Sequence, residues 1–312
     1  MDIKQLRYFL ATVDHGNMTR AADSLHIAQP ALSQQIAGLE RHLGSKLLER
    51  SVRGVKPTMA GEVLYRHAKG LLRHIEDLKG AVSFEKEHPS GRVTIGVPGG
   101  VARLLVTPLL TALRAYPGIL VEVIVRQSSE LTGLVAQGSL DMAMAVDALP
   151  QRGITIQPLF SEELVVALPR SVRLRRTSGI TLDDLAKMPL VLPSPPNTTR
   201  TRVDLAFLNA NLNYQLVAET SATDLLILLV EAGDVCSVLP WSAIHREIAE
   251  QRLQAVPLLP QSIAREISLC TSEDVQLSEA GVVVMQLAVD VLNTLHKNGA
   301  WQGTEKIAAA RR

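Results

Sequence analysis

Apolar residues between positions 3 and 44 recur at helical spacing in three short segments. The first segment ends near Gly16, the second follows with Asn17 or Thr19 as its N-cap, and the third begins at Pro30 and ends at Gly44. The inner faces predicted for the first and third helices are Leu6, Phe9, Leu10, Val13 and Leu32, Ile36, Leu39, Leu43. The spacing therefore predicts a small three-helix unit with one shared core.

Two short strand patterns, KLLER and GVKPT, follow the third helix and are joined by residues 51–54. From Thr58, a predicted N-cap, one long helix runs toward Pro89. Its apolar positions step by four and three residues, as in a heptad seam: Leu64, Ala68, Leu71, Ile75, Leu78, Val82. Such a seam predicts pairing with a second copy of the helix in a dimer. The alternative is that the seam packs on the core of its own chain.

A polar stretch broken by Pro and Gly, EKEHPSG at 85–91, predicts a hinge, after which the pattern changes. Strand patterns such as RVTIGV, ILVEVIV and LDMAMAVD now alternate with helical ones, which is typical of a mostly parallel, doubly wound sheet. A second set begins at ELVVALP, and two crossings near 161–163 and 265–269 would leave a cleft between two lobes. Fold alone does not distinguish this arrangement from a periplasmic binding protein.

The predicted fold class is α/β with an all-α-type winged helix-turn-helix head, a long linker helix and a two-lobed doubly wound domain. The predicted boundaries are 1–58 for the head, 59–90 for the linker helix and hinge, 91–300 for the two-lobed domain, and 301–312 for a flexible tail. Within the two-lobed domain, the first lobe is predicted to comprise 91–162 and 268–300, and the second 163–267.

Charge is distributed unevenly along the chain. The whole sequence carries a formal net charge of only +1, but residues 1–66 hold nine Lys and Arg against six Asp and Glu. Five of these nine cations lie within 41–56, which predicts a head that binds a polyanion. The N-terminus MDIKQLRYFL lacks the apolar run of a signal peptide, and no apolar run reaches the length of a membrane span. We therefore expect a cytoplasmic protein with no membrane partner.

The start of the third helix has an unusual composition. Pro30 suits the first turn because its missing N–H would have no partner there. Around it, Gln29, Ser33 and Gln34 are polar and uncharged, and Ala31 is small, whereas a solvated helix more often carries Glu and Lys. Amides can pair with adenine edges, and small residues permit close approach to a major groove. The pattern predicts a recognition helix; an ordinary polar helix start is the alternative.

The segment MTRAADSLHIAQPALSQQIAGLERHLGSKLLERSVRGVKPTMAG resembles the N-terminal module of LysR-type transcriptional regulators. Among these, the head is most similar to nitrogen assimilation control proteins. The later segments SGRVTIGVP, LVAQGSLDMAMA and ETSATDLLILLVEAGDVCSVLP occur in the order expected for the family, so the resemblance covers about residues 2–297. It implies a sequence-specific DNA-binding regulator that responds to a small effector.

The resemblance also implies residues that contact double-stranded DNA. Position 34 is often Arg in the family, so Gln34 would change the base that is read, and position 28 is often Ser or Thr, so Ala28 leaves the helix start to Pro30. The implied DNA-binding residues are Gln29, Pro30, Ala31, Ser33, Gln34, Arg50, Arg53 and Lys56. Linker helices would form dimers through Leu64, Leu71, Ile75 and Leu78. A dimer of dimers would bind an interrupted dyad promoter site, where RNA polymerase is the expected partner.

Family members bind small effectors between the lobes, often carboxylates, and free helix N-termini at strand ends suit such anions. The implied effector-binding residues are Gly99, Gly100, Val101, Ser128, Ser129, Thr198, Thr199, Arg202 and Ser221. The segment PGGVA offers no hydroxyl where many relatives place Ser or Thr. A regulator that acts without an effector therefore remains an alternative, and no cofactor is expected.

Rival functions have weaker support in the sequence. An S-x-x-K match at 83–86 lies at the end of the predicted linker helix, away from any cleft, so no enzyme activity is expected. His67 and His74 are one heptad apart, which favours a solvated helix face over a zinc site. Cys236 and Cys270 show no metal spacing and are predicted to be free core thiols. A solute-binding protein without a DNA role is the remaining alternative, and the basic head argues against it.

Overall fold

The structure is a computed structural model, which describes residues 1–51, 54–81, 89–172, 179–260 and 262–308. Its first part is a small head of three helices and a hairpin. The elements are α1 (Ile3–His15), α2 (Met18–Ser24), α3 (Gln29–Leu43), β1 (Leu48–Ser51) and β2 (Gly54–Pro57). The strands β1 and β2 pair antiparallel, so the predicted winged helix-turn-helix head is confirmed.

The head folds around the predicted inner face of α3. Leu32, Ile36 and Leu39 are fully buried and share one core with α1 and α2. Leu43, predicted as the fourth member of this stripe, is 38% exposed, since it lies in the last turn, next to the Gly44 that ends the helix in the left-handed conformation. Helical spacing therefore predicts the core up to the last turn of α3.

One long helix, α4 (Met59–Ala81), leaves the head, and its apolar seam divides between two environments. Leu64 is partly buried and Ala68 is 2% exposed, and both pack on the core of the head. Leu71 is 44% exposed. The first half of the seam thus packs on its own chain, because the head core needs a cover on this side.

This division affects how the predicted dimer contacts are placed. Leu64 is partly buried against the head core, so its part in a dimer stays a prediction. Leu71 is exposed and Ile75 is partly buried, while the side chain of Leu78 lies outside the described residues. A dimer through the second half of α4 stays a prediction.

The junction between head and α4 leaves no room for a side chain at Gly61. A Cβ there would lie 2.0 Å from the carbonyl oxygen of Leu47. The same oxygen accepts the N–H of Thr58 at 2.9 Å, and Thr58 Oγ1 accepts the N–H of Gly61 at 3.0 Å. The predicted N-cap at Thr58 is therefore present, and it holds the first turn of α4 against the wing.

The remaining described chain forms two α/β lobes. The strands are β3 (Gly91–Val97), β4 (Ile119–Val125), β5 (Met142–Val146), β6 (Ile154–Pro169), β7 (Ile180–Thr181), β8 (Pro189–Pro193), β9 (Gln215–Thr220), β10 (Ser237–Pro240), β11 (Leu253–Leu259), β12 (Ala264–Ser272) and β13 (Thr304–Lys306). The helices are α5 (Gly99–Ala112), α6 (Ser128–Ala136), α7 (Leu182–Leu185), α8 (Thr198–Asn209), α9 (Thr223–Glu231), α10 (Trp241–Ala249) and α11 (Glu279–Lys297). None of the described helices is long and apolar enough to cross a membrane.

One nine-stranded sheet runs through both lobes in the order β4-β3-β5-β12-β6-β11-β7, and β10 and β13 also pair with β6. The strands β3, β4 and β5 run parallel, and β8 pairs parallel with β9. The long strands β6 and β12 pair antiparallel with each other because they carry the chain from one lobe to the other and back. The predicted two-lobed α/β fold is confirmed, with a mixed sheet at the crossings.

Separate apolar cores define the two lobes. Strand β6 contributes Phe160 to the first core and Leu164 to the second, so it crosses within the predicted 161–163. Strand β12 crosses within 264–266, because Ile267 is already fully buried in the first core. The sequence placed residue 267 in the second lobe, and the structure moves it to the first.

The end of the chain packs against the first lobe. Trp301 is 1% exposed, its ring centroid lies 5.0 Å from that of Phe160, and β13 pairs with β6. The prediction of a flexible tail is therefore wrong for residues 301–308, because burying an indole of this size fixes the backbone that carries it. Residues 309–312 lie outside the described chain.

Candidate functional site

The helix α3 begins with an exposed turn that lacks a side-chain cap. Ala28 precedes the helix and makes no capping hydrogen bond, Gln29 is the first helical residue and Pro30 the second. The turn before the helix is tight, since His26 has a φ of 54°. The exposed side chains of this turn are Gln29, Pro30, Ala31 and Gln34. The structure thus leaves the predicted reading face open to solvent, and its contact with DNA stays a prediction.

The wing is joined to the recognition helix by a side-chain hydrogen bond. Arg50 Nη1, on β1, donates to Ser33 Oγ at 2.9 Å. Lys56 is exposed on β2, and Arg53 lies outside the described residues. The sequence treated Ser33 and Arg50 as separate DNA contacts. The structure pairs them, so that Ser33 orients a cation of the wing beside α3.

A buried carboxylate fixes the other end of α3 to the wing. Glu40 is 7% exposed and accepts the N–H groups of Leu47 and Leu48 at 2.9 and 3.4 Å. It also accepts a hydrogen bond from the Lys46 ammonium at 3.0 Å. Burial raises the pKa of the Glu40 carboxyl, but the three hydrogen bonds outweigh burial and leave this pKa below its usual value. The charged form is therefore favoured in the folded head.

A cavity of about 880 Å³ lies between the lobes. Three of the helices that begin at its wall, α5, α6 and α9, lack a side-chain cap from the residues before them, Pro98, Gln127 and Ala222, whereas Asn197 caps α8. The first N–H groups of each helix lack intrahelical partners and form the positive end of the helix dipole. Such a wall favours an anion.

Seven of the nine predicted effector residues line this cavity: Gly99, Gly100, Ser128, Ser129, Thr198, Thr199 and Ser221. Two do not. Val101 is fully buried in the core of the first lobe, and Arg202 forms an ion pair with Asp147. The wall also holds arginines that the sequence did not single out, namely Arg103, Arg126, Arg246 and Arg265.

The glycines of PGGVA have a packing reason. A Cβ at Gly99 would lie 2.8 Å from Thr223 Oγ1, which stands at the start of α9 in the second lobe. The helices α5 and α9 therefore approach each other closely across the cleft. The hydroxyl at this point of the wall comes from Thr223, so the lack of Ser or Thr in PGGVA does not leave the wall apolar.

One residue of the cavity wall, Arg265, belongs to a buried ion pair on the two crossing strands. Arg265 and Glu162 are directly opposed in the β6–β12 ladder and are 6% and 0% exposed. Arg265 donates from Nε and Nη2 to Glu162 Oε2 at 3.0 and 2.8 Å, and from Nη1 to Thr199 Oγ1 at 3.3 Å. Glu162 Oε1 accepts the N–H of Ser242 at 2.9 Å and the indole N–H of Trp301 at 2.8 Å. The pair joins both lobes and the end of the chain.

The structure describes only some of the features that suggested other functions. The S-x-x-K residues at 83–86 and the side chain of His74 lie outside the described residues. Among the described residues, no group of three His, Cys, Asp or Glu side chains is placed to hold a metal. Cys236 and Cys270 are buried free thiols, and burial raises the pKa of each to about 12.

A winged helix-turn-helix head with an exposed recognition helix, joined to two lobes around a cavity, defines a DNA-binding regulator with a ligand-binding domain. Family models agree: "Bacterial regulatory helix-turn-helix protein, lysR family" matches residues 3–62, and "LysR substrate binding domain" matches residues 86–293. The chain belongs to the LysR family of transcriptional regulators. The predicted family is confirmed, and a solute-binding protein without a DNA role is set aside.

Relatives are similar over nearly the whole chain. The sequence is 33% identical to the nitrogen assimilation regulatory protein nac of Escherichia coli (strain K12), over 97% of this chain and 99% of the relative. Among solved structures, full-length OxyR from Pseudomonas aeruginosa has a TM-score of 0.74 at 21% identity, with 99% of each chain covered. Full-length CbnR complexed with its target DNA has a TM-score of 0.63 at 22% identity, over 94% of this chain and 99% of that chain. At these identities the structures show a shared fold.

Proposed function

We propose that this regulator reads promoter DNA with the first turn of α3 and the wing, and that a small anion in the cleft modulates it. The observation that carries the effector class is the cavity wall, where three uncapped helix N-termini open onto one space. Charge adds little to this assignment. Three arginines of the wall, Arg103, Arg126 and Arg265, form ion pairs with carboxylates, and Arg246 donates to neutral oxygens of α5. A carboxylate is the class of effector that such a wall favours.

Gln29 and Gln34 are the proposed base-reading residues. Both are exposed in the first two turns of α3, and a glutamine amide can donate to and accept from one adenine edge. Arg50 would contact the phosphate backbone of the DNA, because Ser33 holds its guanidinium beside α3. Neutral amides would then supply selectivity, and the cations of the wing would supply most of the affinity.

Replacing the exposed amides of α3 should reduce selectivity more than overall affinity. We expect Gln29→Ala and Gln34→Ala each to lower discrimination between target and scrambled DNA by about 1–3 kcal/mol. Arg50→Ala should weaken binding to both DNAs alike. Fluorescence anisotropy of the full chain on a fragment from upstream of its own gene measures this at a fixed salt concentration. Gln137→Ala, exposed at the end of α6, is the control. Unchanged discrimination in both amide variants would show that these residues do not read bases.

A negative charge at the cavity wall should weaken effector binding. Ser221 is exposed and lines the cavity, so Ser221→Asp adds a charge there, and Ser221→Asn is its neutral match of similar size. In calorimetric titration with a panel of small carboxylates, we expect the Asp variant to bind about tenfold more weakly than the Asn variant. The neutral amides of the same acids should not bind. Equal binding of acid and amide would contradict the anion assignment. If none of the carboxylates binds, the result favours a regulator without such an effector.

Assembly through α4 completes the proposal. The exposed Leu71 and the partly buried Ile75 support a dimer of linker helices, and two dimers would place heads along an interrupted dyad site. A change in cleft closure would alter the spacing of the heads and hence the bending of DNA. RNA polymerase is the expected partner at the promoter, in the cytoplasm, and the role needs neither a cofactor nor catalysis.

A further inference from the structure

Beside the cavity, one ion pair crosses from the first lobe to the second. Arg202, in the second turn of α8, donates from Nε to Asp147 Oδ2 at 2.7 Å and from Nη2 to Asp147 Oδ1 at 2.6 Å. Neither residue belongs to the described wall of the cavity. The side chains are 40% and 17% exposed, so the pair is partly shielded from water. It therefore joins the lobes without occupying the effector space.

Asp147 is fixed on its own side of the cleft. It follows β5 with a φ of 48°, and its N–H donates to the carbonyl oxygen of Glu266 at 2.8 Å. Its Oδ1 also accepts the N–H of Glu266 at 2.9 Å. Glu266 belongs to the stretch of β12 that crosses between the lobes. The carboxylate that pairs with Arg202 is therefore fixed by hydrogen bonds to the crossing strand itself.

A second arginine links the lobes through other helices. Arg103, on α5, forms ion pairs with Asp224 and Glu247 of the second lobe, and its Nε donates to the carbonyl oxygen of Ala243 at 2.7 Å. Glu247 is only 4% exposed. The helices α5 and α8 both begin at the cavity wall, and each carries an arginine in its second turn that reaches an acid of the opposite lobe.

We propose that the Asp147–Arg202 pair is an interlobe clamp that holds the two lobes at one separation before any effector binds, with Arg103 as its counterpart. A bidentate arginine–carboxylate pair tolerates little displacement, so opening the cleft has to break it. The inference rests on the proposed role of the cavity and adds what sets its width. An effector that favours another separation then has to work against the clamps, which limits spontaneous switching of the regulator.

The test is a double-variant cycle on the full chain, read by hydrogen–deuterium exchange without added ligand. D147N keeps an acceptor for the Glu266 N–H and tolerates the positive φ, but it loses the charge. R202M keeps most of the apolar stem and removes the guanidinium. Each single variant should raise exchange at the first amides of α6 and α8 about threefold or more, and the double variant should raise it no further. Amides of the head should not change.

Arg92→Met is the matched control, because it removes an ion pair with Glu122 at 2.8 Å that lies entirely within the first lobe. It should leave exchange at the cleft at the wild-type rate. Wild-type exchange in both single variants, or additive increases in the double variant, would overturn the clamp. The exchange experiment contains no effector, so the two proposals are tested separately. If no carboxylate of the panel binds, the clamp is not contradicted, and if the variant cycle contradicts the clamp, the anion assignment is not affected.

Discussion

Arg265→Met is expected to destabilise the two-lobed domain by about 3–5 kcal/mol, because it leaves a buried carboxylate without its cation. Glu162 is 0% exposed, and Arg265 donates two hydrogen bonds to its Oε2. The N–H groups of Ser242 and Trp301 would remain on Oε1 and would not neutralise the charge. Urea unfolding of the full chain, followed by circular dichroism, measures the loss.

Removing both charges should cost less than removing one. In Glu162→Gln with Arg265→Met, the amide oxygen can still accept the N–H groups of Ser242 and Trp301, and no buried charge remains. Glu130→Gln is the exposed control, since its ion pair with Arg126 spans 4.0 Å on the surface, and it should change stability by under about 1 kcal/mol. If the double variant is as unstable as Arg265→Met alone, the lost stability comes from packing, and the unpaired-charge explanation is contradicted.

Gly61→Ala should detach α4 from the head, at a cost of about 3 kcal/mol. The added Cβ would lie 2.0 Å from the Leu47 carbonyl oxygen, a backbone atom that cannot rotate away. Intrinsic helix propensity acts in the opposite direction, because alanine is favoured over glycine by up to about 1 kcal/mol. A net loss of stability therefore reports the contact. Thermal unfolding and DNA anisotropy of the full chain measure both consequences.

Gly133→Ala provides the matched comparison. Gly133 lies in α6, and a Cβ there would meet nothing within 4 Å. This substitution should be neutral or stabilising, while Gly61→Ala should lower both the unfolding temperature and DNA affinity. If the two variants behave alike, the close approach of Gly61 to Leu47 does not hold in solution.

The head could be predicted from sequence because each of its helices is amphipathic on its own. Leu32, Ile36 and Leu39 mark the buried face of α3 without reference to any distant residue. The division of the α4 seam could not be predicted in this way. Leu64 and Leu71 have the same spacing and chemistry, and only the placement of the head decides that the first packs on it.

The buried ion pair of the crossing strands depends on a long-range register. Arg265 and Glu162 are 103 residues apart, and they meet because β6 and β12 pair in one particular alignment. Each predicted crossing contains one of these two charges, but Glu163 and Glu266 stand directly beside them, so the sequence does not show which groups pair. Arg202 is a case in which the sequence predicts a contact that the structure assigns elsewhere. A cation near the start of α8 predicts an effector contact, but Arg202 pairs with Asp147, which follows β5.

The burial of Trp301 could not be predicted, because a single large aromatic residue in a polar segment forms no periodic pattern of apolar positions. Its indole donates to Glu162, and β13 then pairs with β6. Residues 301–306 therefore belong to the packing around the strands that cross between the lobes. A truncation just before Trp301 would keep the DNA-binding head but remove the indole N–H that Glu162 accepts and the strand that pairs with β6, so fusion proteins should keep the chain through Lys306.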